Sequence, residues 1–255
     1  MNARILDRAS RFSWIPLLLV VILVITACSS GGTTSGSSPS TTQPKATGTQ
    51  PPTIAHLAAG SITYVAMGAS DAVGVGSNQP GAQGYVPLVA AHLPKGSHMV
   101  NLGISGIRLH EALSEELPIA LSTSPKLVTV WLVANDFVGG ISYEAYIQDL
   151  NTLLAQLHTN THASLVIANL PDLTRLPAFS SLSFTEKEQM LVQIKRWNTG
   201  IATAAARYGA GLADLFGHGS ELTAHPEYIS GDGFHPSPKG YIQIADIFWA
   251  AIQGS

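Results

Sequence analysis

The sequence predicts an α/β protein, a three-layer α/β/α sandwich around a five-stranded parallel sheet. Three observations lead there. Short apolar runs rich in branched residues alternate with longer segments of helical period, as expected of strands covered on both faces by helices. Two of the longer segments repeat apolar residues three or four positions apart. The last segment opens on a serine followed by a proline, which is a helix-start signal.

The strands are expected at Ile62–Met67, His98–Leu102, Leu127–Val133 and Leu165–Leu170, with a weaker one at Gly211–Leu215. Tyr143, Ile147, Leu150, Leu154 and Leu157 form one core-facing helical stripe, and Leu191, Ile194, Trp197 and Ile201 form another. Ser237 as N-cap and Pro238 at the first helical position start the final helix, which runs through Ile242, Ala245 and Trp249.

The chain has 255 residues, of which the part after the N-terminus is long enough for one domain with a sizeable core. It carries 13 basic and 16 acidic side chains, a formal net charge of -3, and offers no basic stripe to neutralise a phosphate backbone. Nucleic acid is therefore not an expected partner. Arg4, Arg8 and Arg11 precede an apolar run from Ile15 to Ile25, the layout of a secretory signal. Its end, Ile25-Thr26-Ala27-Cys28, resembles a bacterial lipobox, in which cleavage leaves the cysteine to carry a diacylglyceryl thioether. A transmembrane anchor is the alternative, but the run is short for a hydrocarbon core of ~30 Å. Cys28 is the sole cysteine, so no disulfide forms within the chain. From Ser29 to Pro52 the composition is Ser, Thr, Gly, Pro and Gln with little apolar surface to offset ordering entropy, which reads as a tether. The expected organisation is a signal peptide at 1–27, a lipidated cysteine and linker at 28–53, and a folded domain at 54–255.

In a parallel sheet, ligands bind beyond the carboxyl ends of the strands, and four of those ends are chemically distinctive. Gly68-Ala69-Ser70-Asp71-Ala72-Val73-Gly74-Val75-Gly76 follows the first strand and leaves Ser70 at a sharp small-residue turn, a candidate nucleophile. Asn101-Leu102-Gly103-Ile104-Ser105-Gly106 ends the second, where Gly103 can bring a backbone N–H close to a reacting carbonyl. Val133-Ala134-Asn135-Asp136 ends the third and offers the Asn135 amide. Near the C-terminus, Asp232-Gly233-Phe234-His235-Pro236 places a carboxylate three residues before an imidazole, close enough for the two to pair on a loop.

Together these segments resemble blocks I, II, III and V of the SGNH/GDSL hydrolases, in order, over about Ile62 to Ile252. The resemblance implies a flavodoxin-like SGNH hydrolase fold and a serine esterase. It makes Ser70 the nucleophile, Asp232 and His235 the acid and base, and the Ser70 and Gly103 N–H groups with the Asn135 amide the oxyanion donors. Two positions depart from the pattern: Ala69 stands where the usual Gly-Asp-Ser has its aspartate, and Val133 where a glycine is expected two before Asn135. Both bear on substrate scope and rate, not on reaction type.

Competing readings are weaker. Gly74 and Gly76 begin a dinucleotide-type pattern that fails at Gln79, and a Gly-x-Ser-x-Gly elbow fails at Ala72. Ser105 has no base to pair with, Asp136 reads as structural, and His158 with His162 read as solvated surface, not zinc ligands. In the loop after the fourth strand, Leu173, Leu176 and Phe179 either shape a substrate pocket or cover the sheet. The expected activity is hydrolysis of carboxylic esters, short-chain or acetyl esters foremost, on lipids, polysaccharides or small molecules at the cell envelope. No metal or organic cofactor is needed. A thioesterase or lysophospholipase on the same triad, and a binding lipoprotein without turnover, are the rivals.

Overall fold

The structure, a computed structural model, describes residues 60–254. The predicted signal peptide, Cys28 and the linker lie outside the described residues.

Strand β1 (Thr63–Gly68) lies inside the sheet, paired to β2 (His98–Asn101) on one side and to β3 (Leu127–Trp131) on the other. Strands β4 (Ser164–Ala168) and β5 (Gly211–Ala213) extend it beyond β3, and every ladder is parallel, in the order β2-β1-β3-β4-β5. The central strands are apolar runs, not alternating ones, because helices cover both faces. All of β3 is buried, whereas the edge strand β2 is only partly so.

Ten α-helices link and cover these strands among the described residues. Short α1 (Ser70–Val73), α2 (Pro80–Gln83) and α3 (Tyr85–Ala91) follow β1; α4 (Leu109–Glu115) and α5 (Leu117–Ser122) follow β2. Next come α6 (Ala134–Val138), α7 (Tyr143–Asn160), α8 (Phe184–Arg207), α9 (Gly219–Ala224) and α10 (Pro238–Ile252). Helices α3 and α10 pack together on one side of the sheet, while α4, α5, α7 and α8 form the other layer. The three-layer sandwich with five parallel strands is as predicted.

Two details differ from the sequence reading. Apolar runs outlast the ladders: β3 stops at Trp131 although Leu132 and Val133 remain buried, and β4 stops at Ala168 although Leu170 is buried. After Ala168 the Asn169 side chain takes over, donating to Asp214 and accepting from the Phe216 N–H. On α10, Ser237 caps the Gly240 N–H as predicted, but Ile242 is 48% exposed. The buried stripe is Tyr241, Ala245, Phe248 and Ile252. Apolar residues surround this helix, so spacing alone admits more than one phase. Stacking of Phe248 on Tyr85 at 4.8 Å and the bond from the Tyr241 hydroxyl to the Val75 carbonyl select the observed one.

Under the C-terminal end of β1 sits a buried acid, Glu116, whose Oε2 accepts the Gly68 N–H at 3.1 Å. Burial pushes its carboxyl up to about 8, only partly opposed by the Gly68 bond. Between the ordinary carboxylate range and pH 8 the unfolded chain has lost this proton while the folded one keeps it. Stability therefore falls as pH rises across that window, by at most about 1.4 kcal/mol per pH unit for one proton. Glu116→Gln keeps an oxygen for the Gly68 N–H and should remove this component. Urea unfolding at pH 5 and pH 8 is the check: a pH dependence unchanged by the substitution would show that Glu116 is ionised in the fold.

Candidate active site

Ser70 is the first residue of α1, immediately beyond β1, and its side chain is 9% exposed. Its N–H, at the first helical position, has no acceptor within the helix. The Oγ lies 2.9 Å from Nε2 of His235, and Nδ1 of the same ring lies 2.6 Å from Oδ2 of Asp232. The fold thus joins three side chains separated by up to 165 positions in the sequence into one hydrogen-bonded chain.

The loop that carries Asp232 and His235 is closed on itself. The Ser230 N–H donates to the His235 carbonyl at 2.8 Å, and Ile229 and Pro236 form an antiparallel bridge. The other Asp232 oxygen, Oδ1, accepts three hydrogen bonds, from the Phe234 N–H at 2.8 Å, the His235 N–H at 2.9 Å and the Ser230 hydroxyl at 2.8 Å. Partial burial works to raise the Asp232 carboxyl, but the His235 ring and these three donors outweigh it and hold the group well below the usual carboxylate range. Asp232 is an ionised acceptor with a fixed orientation. Gly76 is what lets the turn after Ser70 reach this loop, since a Cβ there would run into the Pro236 carbonyl oxygen.

The predicted oxyanion donors lie at neighbouring strand ends, with unequal freedom. Gly103 packs directly on α1, where a Cβ would meet that of Ala72 at 2.8 Å, so only glycine permits the approach. Its N–H donates to Asn101 Oδ1 at 3.0 Å, and Asn101 in turn donates to the Ala72 carbonyl at 2.6 Å. Asn135, in α6, donates to the Ile107 carbonyl at 2.9 Å, which leaves the second hydrogen of its amide free. Asp136 is structural: it is buried and its Oδ2 accepts the Leu109 N–H that opens α4.

Beside the triad lies an apolar pocket with an empty volume of about 710 Å³, part of it open to solvent. Trp131, Leu215, Ile244 and Ile247 line it together with two of the predicted loop residues, Leu173 and Leu176. Phe179 does not join them. It packs on Phe234 with ring centroids 6.2 Å apart, and the neighbouring Ala178 N–H donates to the Gly233 carbonyl at 3.0 Å. The loop therefore does two things, lining the pocket and bracing the Asp232–His235 turn. Asp71 also faces the pocket, 8% exposed.

Sequence reasoning missed Ser230 and Asp71. Ser230 stands two residues before Asp232, a spacing at which a hydroxyl reaches a carboxylate across a turn, but nothing in the sequence marks that turn. Asp71 stands in the same segment as Ser70, where the sequence gives it no role. Its side-chain direction depends on the helical turn after Ser70.

The sequence pattern of the GDSL-like lipase/acylhydrolase family matches residues 60–242. The chain belongs to this family. It is accordingly an ester-hydrolysing serine hydrolase, as the sequence led us to expect. Solved structures agree on the fold. An acetylxylan esterase from Geobacillus stearothermophilus superposes with a TM-score of 0.61 at 18% identity, over 76% of this chain and 95% of that one. An alpha/beta hydrolase enzyme from the metagenome of Lake Arreo, Spain, gives 0.62 at 19% identity, over 75% and 94%. The psychrotrophic esterase EstA from Pseudoalteromonas sp. gives 0.57 at 18% identity, over 75% and 97%. No curated protein matches the chain in sequence. Among the described residues, no group of three or more His, Cys, Asp or Glu side chains could hold a metal ion, and no helix is long and apolar enough to cross a membrane.

Proposed function

We propose that this hydrolase cleaves carboxylic esters, short-chain or acetyl esters foremost, with Ser70 as nucleophile, His235 as base and Asp232 as the acid that orients it. The unbroken chain from Asp232 through His235 to Ser70, at 2.6 and 2.9 Å, carries this reading. A serine hydroxyl is a poor nucleophile until a base takes its proton during attack, and His235 Nε2 is within reach of that proton. Asp232 accepts from Nδ1, so the ring presents its lone pair to Ser70 and is stabilised as it becomes an imidazolium.

Attack of Oγ on the ester carbonyl places a negative charge on the former carbonyl oxygen. The Ser70 N–H and the free Asn135 amide hydrogen are the donors for it, with the Gly103 N–H joining by sharing between Asn101 and the oxyanion. One such donor is worth roughly 10²–10³ in kcat. His235 then gives its proton to the leaving alcohol, an acyl-Ser70 ester forms, and water attacks it with the same histidine as base.

A p-nitrophenyl ester series from acetate to palmitate, offered to the full chain and to its Ser70→Ala variant, tests the assignment. Hydrolysis that disappears with Ser70 and declines with acyl length is the expected result. Turnover that survives the substitution would remove Ser70 from the mechanism, and a preference for palmitate would replace the short-chain assignment.

The same reading places the enzyme at the cell envelope, exported and held at a membrane by a lipid on Cys28. The basic and apolar leader, the Ile25-Thr26-Ala27-Cys28 segment and the polar linker support it. Cys28→Ser should move the protein from the membrane to the soluble fraction. Retention in the membrane fraction would favour an uncleaved apolar anchor.

A further inference from the structure

The apolar pocket beside the triad contains an acid that the mechanism does not use. Asp71 follows the nucleophile, lines the pocket and is more than nine-tenths buried. Apart from its own backbone N–H, no group among the described residues hydrogen-bonds its carboxylate. Burial pushes the carboxyl up to about 6, with the nearby His235 opposing the shift, so an acid sits in an apolar setting without a hydrogen-bonding side chain among the described residues. An unpaired buried charge is costly, and the cost is recovered by whatever brings it a donor or a positive charge.

The rest of the lining selects the sign of that partner. Glu221 is a second carboxylate on the wall, and neither lysine nor arginine is present there. His218 also lines the pocket, and its Nδ1 is already paired with Glu221 at 2.7 Å. The site repels a carboxylate such as that of a free fatty acid and attracts a cation. Trp131, Leu173, Leu176, Leu215 and Ile244 supply the apolar surface. Asp71, Ala134, Phe234 and Pro236 are chain neighbours of Ser70, Asn135 and His235, so an occupant would sit against the supports of the site without needing to touch the reacting oxygen.

We propose that this pocket is a binding site for a small amphiphile with an apolar body and an ammonium group, the ammonium pairing with Asp71. The site is defined by the pocket and its charge, and its test reads binding, so it stands or falls separately from the ester-hydrolysis assignment.

Isothermal titration of the purified full chain with octylammonium, octanol and octanoate compares three head groups on one apolar chain. Octylammonium should bind tightest and octanoate weakest. Asp71→Asn, which keeps size and removes the charge, should weaken octylammonium by about tenfold or more, the loss expected for one charge-assisted contact, and leave octanol nearly unchanged. Ile244→Trp, which fills the pocket, should weaken octylammonium and octanol alike. Octanoate binding as tightly as octylammonium to the unmodified chain would overturn the proposal without reliance on any variant. So would a preference for ammonium that survives Asp71→Asn, or affinities untouched by Ile244→Trp.

Discussion

Replacing Ser70 by alanine is expected to lower kcat toward p-nitrophenyl acetate by roughly 10⁶-fold, the order of loss seen when a serine hydrolase of this mechanism is deprived of its nucleophile. The expectation rests on geometry. Among the described residues, Ser70 Oγ is the one hydrogen-bond partner of His235 Nε2, at 2.9 Å, and no second hydroxyl is bonded to the ring. Ser105, the other serine among the strand-end segments, has no hydrogen bond to His235. Removing the hydroxyl leaves the oxyanion donors and the binding surface in place, so slow water-mediated turnover is the expected residue of activity. The fold should be unaffected, because Ser70 Oγ makes no other hydrogen bond and alanine suits a helix start of this kind. A loss of less than about a hundredfold, with the variant folded, would show that the acyl-enzyme does not form on Ser70. Labelling by a fluorophosphonate probe, present in the unmodified chain and absent from the variant, is an independent measure of the same point.

Asp232→Asn should lower kcat by roughly 10⁴-fold with the fold intact, because it puts a donor where His235 Nδ1 needs an acceptor. The loop dictates how an asparagine would face. Oδ1 of Asp232 receives three donors, the Phe234 and His235 N–H groups and the Ser230 hydroxyl. An asparagine must keep its carbonyl oxygen toward those donors, so its NH₂ group is forced toward the ring. The imidazole then carries its proton on Nε2 and cannot take one from Ser70. Ser230→Ala removes one of the three constraints and should reduce kcat by about threefold to tenfold while leaving KM unchanged, as expected for a lost hydrogen bond to a charged group that is still held by two others. Combined with Asp232→Asn it should cost little more, since residues that act as a unit are not additive. Near-normal turnover of Asp232→Asn would show that another group orients the histidine, and a raised KM in Ser230→Ala would make Ser230 a substrate contact.

Much of this was legible in the chain itself. Alternation of branched apolar runs with helical stripes determined the sandwich and its strand count, because a parallel sheet buried on both faces needs continuous apolar strands and amphipathic covers. The strand-end rule then singled out the Ser70, Gly103 and Asn135 segments, and the three-residue spacing of Asp232 and His235 just before the last helix singled out that pair. What spacing could not determine was phase and direction. Ile242 and Tyr241 compete for the inner face of α10, and only the contacts with Tyr85 and Val75 decide between them. Leu173, Leu176 and Phe179 read alike in sequence, yet the first two line the pocket while the third packs on Phe234 in the Asp232–His235 turn. Ser230 and Asp71 acquired roles only because the loop closes on itself and the helical turn after Ser70 aims the next side chain inward. The sequence by itself thus determined the fold class and singled out the residues that the proposed mechanism uses. The tertiary structure decided which neighbours orient them and which face an empty space, because those depend on side-chain directions that the linear spacing leaves free.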